Sequence, residues 1–127
     1  MATITYTVTV ASGTNQYGTG NKFYINGSVS PDLNLIEGNT YIFDQSDSTN
    51  ATHYLAFSTS ANNSPAAPYT TGVTVNAGTG GPGTSGANTT IVVATYAPTL
   101  YYYCTAHSNM GGAAYTLAAG SISSTSN

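Results

Sequence analysis

Charged side chains are almost missing from this sequence. They make up 4% of its 127 residues, against about 25% in an ordinary globular domain. Lys22 is the sole lysine, arginine does not occur, and the acids are Asp32, Glu37, Asp44 and Asp47, for a net charge of −3. Phosphate binding draws on clustered Lys and Arg, so this composition speaks against a nucleic-acid surface. A polar surface with little charge has little self-repulsion. It suits a protein packed in an assembly, or one facing salty medium where screening makes surface charge less useful. Cys104 is the single cysteine, which excludes an internal disulfide framework. No apolar run reaches the length of a membrane-spanning helix, so no membrane partner is expected. The segment Met1 to Thr5 lacks the basic start and apolar stretch of a secretion signal. A native Met1 therefore predicts synthesis and release in a cytosol; a leader already removed would predict a periplasmic or extracellular protein.

What remains is the composition of strands and turns. Hydrophobic residues reach 40%, mostly Val, Ile, Leu, Tyr and Ala, with Thr, Ser, Asn and Gly between them. Residues 3–10 alternate Thr with apolar side chains, the period of a half-buried strand. A turn-rich stretch is expected from Ala11 to Asn21, then short strands over 22–26, 33–36 and 40–44. A polar loop from Gln45 to Thr52 leads to a strand opening at His53. The segment Ser58 to Gly86, with Pro65, Pro68, Pro82 and several glycines, reads as loop with an edge strand near 71–75. Strands follow at 89–96, 100–104 and 114–117. No stretch carries a sustained helical period with caps. Short strands at regular spacing predict an all-β sandwich or barrel. One domain spans residues 1–120, and 121–127 form a Ser/Thr-rich tail.

The metal-binding residue types are few and concentrated. Beyond Met1, the chain has two histidines, one cysteine and one methionine. Cys104, His107 and Met110 share one run, C-x2-H-x2-M, and His53 lies some fifty residues earlier. Two imidazoles and a thiolate, with a weak thioether on the axis, form a blue-copper electron-transfer site. A tight loop can bring three of these ligands to one end of a sandwich, and a neighbouring strand can bring His53. The same set could also take zinc, or stand empty on a scaffold.

At these residues the chain resembles the cupredoxins, the fold of plastocyanin, amicyanin and pseudoazurin. Those proteins place a His after an Asn-containing loop, here Asp47-Ser48-Thr49-Asn50-Ala51-Thr52-His53. They close with an aromatic strand running into Cys, then His, Met, Gly and a last strand. Here that is Tyr101-Tyr102-Tyr103-Cys104, His107, Met110, Gly111-Gly112 and the strand at Tyr115. The short C-x2-H-x2-M loop is similar to amicyanin's. The resemblance covers roughly residues 20–118. It implies a cupredoxin-like Greek-key β-sandwich of about seven to nine strands holding one type 1 copper on His53, Cys104, His107 and Met110. A second, narrower resemblance rests on Tyr41-Ile42-Phe43-Asp44-Gln45-Ser46-Asp47, Tyr69-Thr70-Thr71-Gly72-Val73 and Leu100-Tyr101-Tyr102-Tyr103-Cys104. These phrases look like a small domain of marine tailed-phage virion proteins, cyanophages especially. It implies a capsid decoration, tail or fibre component, with copies of itself or capsid and tail proteins as partners.

Two functions follow as expectations: a virion structural protein, or a soluble electron carrier docking a redox partner near His107. An enzyme is not expected, since no histidine is left for a second copper site or a Ser-His-Asp set. Tyr101, Tyr102 and Tyr103 read as strand residues rather than an electron path, at least one of them in the core. Asp44 and Asp47 read as turn residues bonding local backbone rather than calcium ligands. Asn-x-Ser/Thr triplets at Asn26, Asn50, Asn62 and Asn88 are expected by chance in this composition.

Overall fold

A computed structural model describes residues 1–63 and 67–120. Pro65 and the tail expected at 121–127 lie outside them. The described residues form strands β1 (Thr3–Asn15), β2 (Gly18–Ile25), β3 (Ser28–Val29), β4 (Leu33–Ile36), β5 (Thr40–Asp44), β6 (Leu55–Ser58), β7 (Val73–Ala77), β8 (Ala87–Val92), β9 (Leu100–Cys104) and β10 (Gly112–Leu117). Their only helical turns are short 3-10 pieces at Ser48–Asn50 and Ala61–Asn63. Among the described residues no helix is long and apolar enough to cross a membrane.

The strands make two sheets, ordered β3-β2-β1-β5-β8-β7 and β4-β10-β9-β6, packed as an all-β sandwich. Ten strands exceed the seven to nine expected, partly because the two-residue β3 counts as one. The larger departure is at residues 11–21. The run Ala11 to Asn21 reads as turn, yet β1 and β2 continue through it as a hairpin, pairing Val8 with Ile25 out to Asn15 with Gly18. The turn is only Gln16-Tyr17, closed by Tyr17 N–H donating to Asn15 Oδ1 at 2.9 Å. Thr, Ser, Asn and Gly favour turns locally, but here a register set by the apolar half of the hairpin carries them into a ladder. Thr14 and Thr19 pair their hydroxyls across it at 2.9 Å.

Elsewhere the alternation reads through. Tyr6, Val8 and Val10 of β1 turn inward, as do Tyr41 and Phe43 of β5 and Leu100 and Tyr102 of β9. Phe43 sits at the centre, 5.2 Å from Tyr6, 5.4 Å edge-on to Phe57 and 6.5 Å from Tyr102 by ring centroid. Buried phenols need partners. Tyr41 Oη accepts from Ile36 N–H at 2.8 Å, and Tyr102 O–H donates to the Pro31 carbonyl at 2.6 Å. Of the three consecutive tyrosines, Tyr102 is core, Tyr103 is buried and Tyr101 half-buried.

The feature that matters for function is one antiparallel pair. β6 and β9 lie side by side with Leu55 opposite Cys104. The start of β6 therefore meets the end of β9, and Thr105 N–H donates to the Tyr54 carbonyl at 3.1 Å. The chain entering β6 and the chain leaving β9 are brought to the same end of the sandwich.

Candidate metal centre

Cys104 closes β9 and is fully buried. His53 does not open β6 but stands two residues before it, held by the polar segment leading in. His53 N–H donates to the Asn50 carbonyl at 2.8 Å, and the His53 carbonyl accepts from Gln45 Nε2 at 2.6 Å. Gln45 also donates to Asn50 Oδ1 at 3.1 Å and accepts from Leu55 N–H at 3.0 Å. Asn50 Nδ2 donates to the Val8 carbonyl at 2.7 Å. Gln45 and Asn50 are both buried, so residues that read as a polar loop are an internal brace behind His53. Nothing in the sequence distinguishes a buried amide from an exposed one here; only the packing does. Asp44, the last residue of β5, and Asp47, which caps the 3-10 turn, bond local backbone as expected, accepting from Ser46 and Thr49 N–H.

The geometry gathers three of the four expected ligands around one point. Cys104 Sγ lies 3.6 Å from His53 Nδ1 and 3.5 Å from His107 Nδ1. One donor atom from each residue falls within 4.8 Å of the others, close enough to hold a metal ion. Both imidazoles present Nδ1 to the sulfur, and the rings are tilted at 46° with centroids 4.7 Å apart. His53 is only 8% exposed, whereas His107 is open to solvent. Met110 is buried at the far end of the same loop, and with His107 it lines a cleft of about 250 Å³.

The loop from 105 to 111 is fastened from several sides. The Asn109 carbonyl accepts from Asn15 Nδ2 at 2.9 Å and from Lys22 Nζ at 2.8 Å. Asn62 and Asn109 bond reciprocally: Asn62 Nδ2 donates to Asn109 Oδ1 at 2.7 Å, and Asn109 N–H donates to Asn62 Oδ1 at 2.8 Å. The Met110 carbonyl accepts from Phe23 N–H at 3.0 Å and Ser30 Oγ at 2.9 Å. Asn109 itself sits at φ 72, a left-handed position that Asn tolerates better than most residues. Gly111 is required by close approach, since a Cβ there would lie 1.7 Å from the Tyr102 carbonyl oxygen. Asn15, Lys22, Ser30 and Asn62 are positioning residues that the sequence left unmarked. Lys22, the only cation, is 1% exposed, and burial pushes its ammonium pKa down.

Electrostatics favours neutral donors before a metal arrives. Burial pushes the Cys104 thiol up, opposed in part by the backbone N–H groups of Ala106 and His107. Burial first, and then the neighbouring His107, push His53 down. A metal entering the site must displace the thiol proton, and it meets an imidazole that is already unprotonated at neutral pH. A soft thiolate and two imidazoles on separate elements form a donor set that fits a thiophilic transition metal.

Comparison with protein-family models, curated proteins and solved structures returned no match to this chain. The class is therefore set by fold and site alone: an all-β sandwich with a His-Cys-His cluster at one end of its smaller sheet.

Proposed function

We propose that the protein is a cupredoxin-like domain that binds one copper ion in a type 1 site. The observation that carries this reading is the pair of Nδ1 contacts to Cys104 Sγ, at 3.6 and 3.5 Å, from two histidines of unequal exposure. Cys104 would supply the thiolate, His53 and His107 the imidazoles, and Met110, buried on the same loop, a weak thioether. Bound copper would supply one-electron exchange. The chain's own residues hold the ligands nearly fixed, so little would rearrange between oxidation states, and His107 is the edge through which a redox partner would meet the site.

The test is to add Cu(II) to metal-free protein and record the visible spectrum. A type 1 site gives an intense thiolate-to-copper charge-transfer band in the visible. Cys104→Ser should abolish that band completely. Met110→Leu should keep it while raising the reduction potential. No band in a protein whose Cys104 is still reduced would overturn the copper reading.

A second reading is that the domain is a structural component of a virion, as a capsid decoration, tail or fibre protein. The nearly uncharged surface supports it: residues 48–127 contain no Asp, Glu, Lys or Arg. The resemblance to phage structural domains points the same way. It predicts ordered contacts with copies of the chain or with a capsid or tail protein, read by co-sedimentation with assembled particles. A chain that stays monomeric and binds no particle would sink it.

A further inference from the structure

A sheet edge presents unpaired N–H and C=O groups that another strand can take up, and proteins usually guard such edges. Among the described residues the sandwich has four edge strands: β3 and β7 on the larger sheet, β4 and β6 on the smaller. Three are guarded. β3 is only two residues long. β4 is bracketed by the acids Asp32 and Glu37. β6 is covered by the chain at 67–69, where Ser58 bridges Pro68 and Tyr69 N–H donates to the Phe57 carbonyl at 2.9 Å. The β1–β2 tip beyond the sandwich is interrupted by Gly13, Gly18 and Gly20. β7 has five residues with no charge, no proline and no glycine, and all but Val73 are exposed.

Register sharpens the contrast. Val73 lies opposite Ile91 and Val75 opposite Thr89. Ile91 and Thr89 are fully buried, so both valines point to the core side of the sheet. Val75 is nevertheless 52% exposed. A core-side valine left half open marks a place where the sheet lacks its cover.

We propose that β7 is a self-pairing edge through which two copies of this chain join, strand to strand, in an antiparallel two-fold dimer centred on Val75. In that register Val75 meets Val75, Thr74 meets Asn76 and Val73 meets Ala77, every pair uncharged. A two-fold axis sets the central residue against its own copy, so a charge there would repel itself. β7 itself carries no charge, so nothing on the edge repels its own copy, and a second copy fits it better than a partner recognised by charge. The pairing goes beyond the metal reading and does not depend on it. It also gives the assembly reading a contact surface.

The test is sedimentation velocity on the metal-free chain from micromolar to millimolar concentration. The expected result is a concentration-dependent shift from monomer to dimer mass. Val75→Lys and Val75→Asp each set like charges face to face and should remain monomeric at every concentration. Mixed in equal amounts, the two variants should dimerise again, which a folding defect could not produce. Wild-type protein that stays monomeric throughout, or variants that dimerise alone as well as wild type, would overturn the proposal. A dimer that joins no particle keeps the strand pairing and sinks the virion role. A copper band in a strictly monomeric wild-type chain keeps the metal site and sinks the pairing.

Discussion

Two loops of this molecule look alike on paper and are built on opposite plans. The turn at 78–86 and the ligand loop at 105–111 are both uncharged and built of small and polar residues, with five glycines in the first and one in the second. The first is held largely by itself. Thr79 N–H donates to the Ser85 carbonyl at 3.0 Å, Gly80 N–H to Thr84 Oγ1 at 2.9 Å, and Thr84 Oγ1 to the Gly81 carbonyl at 2.6 Å. Its tie to a distant element is Gly83 N–H to the Gln45 carbonyl at 2.8 Å. The second loop is held by residues from elsewhere in the chain: Asn15, Lys22, Phe23, Ser30 and Asn62. Composition makes both segments loops; long-range polar ties make one of them a site. Ligands that must keep their geometry with and without a metal need such support from outside the loop.

The strongest way to break the ligand loop without touching a ligand is Gly111→Ala. The added Cβ meets backbone, not a flexible side chain, so β9 and β10 must separate to admit it. Loss of about 3 kcal/mol is expected in chemical unfolding of the metal-free protein, at the upper end of overpacking costs. Gly80→Ala in the other loop meets only Thr84 side-chain atoms at 3.5 Å or more, and unfolding should scarcely change. Equal losses at the two glycines would remove the contrast between the loops.

The next effect is on metal uptake. Burial pushes the Cys104 thiol up, so it carries its proton throughout the neutral range and each metal bound releases that proton. Apparent copper affinity should therefore fall about tenfold for each unit that pH drops, about a hundredfold over two units. His53 is pushed down, so it competes as a base only at a pH lower than the usual histidine value of about 6.5. Below that point the slope steepens. A competition titration against a chelator of known proton linkage reads it, and a flat profile between pH 6 and 8 would mean that binding releases no proton from Cys104.

Much of this plan was legible and some of it could not be. Alternation in residues 3–10 exposed the core face of β1, because a period of two needs only local information, whereas the apolar runs at 40–44 and 100–104 marked strands without saying which face is buried. The C-x2-H-x2-M run marked the site because Cys, His and Met are so rare in this chain that their adjacency stands out, and the structure brings His53, Cys104 and His107 within reach of one another. The ladder through residues 11–21 was hidden, since its small polar residues prefer turns until the apolar half of the hairpin fixes their register. The braces were hidden for a related reason. Gln45, Asn50 and Asn62 look like any loop amide in a chain full of them, and Lys22 looks like the one residue certain to be outside. Their burial is decided by carbonyls far away in sequence, such as Asn109 for Lys22 and Val8 for Asn50.

The smallest expected effects decide whether the clamp serves the metal or merely the fold. Asn62→Ala strips Asn109 of two bonds at once, at its N–H and at its Oδ1. Because Asn109 is half-buried, water replaces part of what is lost, and about 1–2 kcal/mol should disappear from metal-free stability. Thr84→Ala removes two bonds confined to the 78–86 turn and should cost about 0.5 kcal/mol. The two variants should part on copper. Asn109 stands between His107 and Met110 and shares its carbonyl with Asn15 and Lys22, so loosening it frees the ligand spacing. Asn62→Ala should therefore weaken Cu(II) binding and broaden the charge-transfer band, while Thr84→Ala leaves both unchanged. If Asn62→Ala lowered stability and left the copper spectrum intact, the ties on Asn109 would be ordinary fold contacts, and ligand geometry would rest on Gly111 and the β6–β9 register alone.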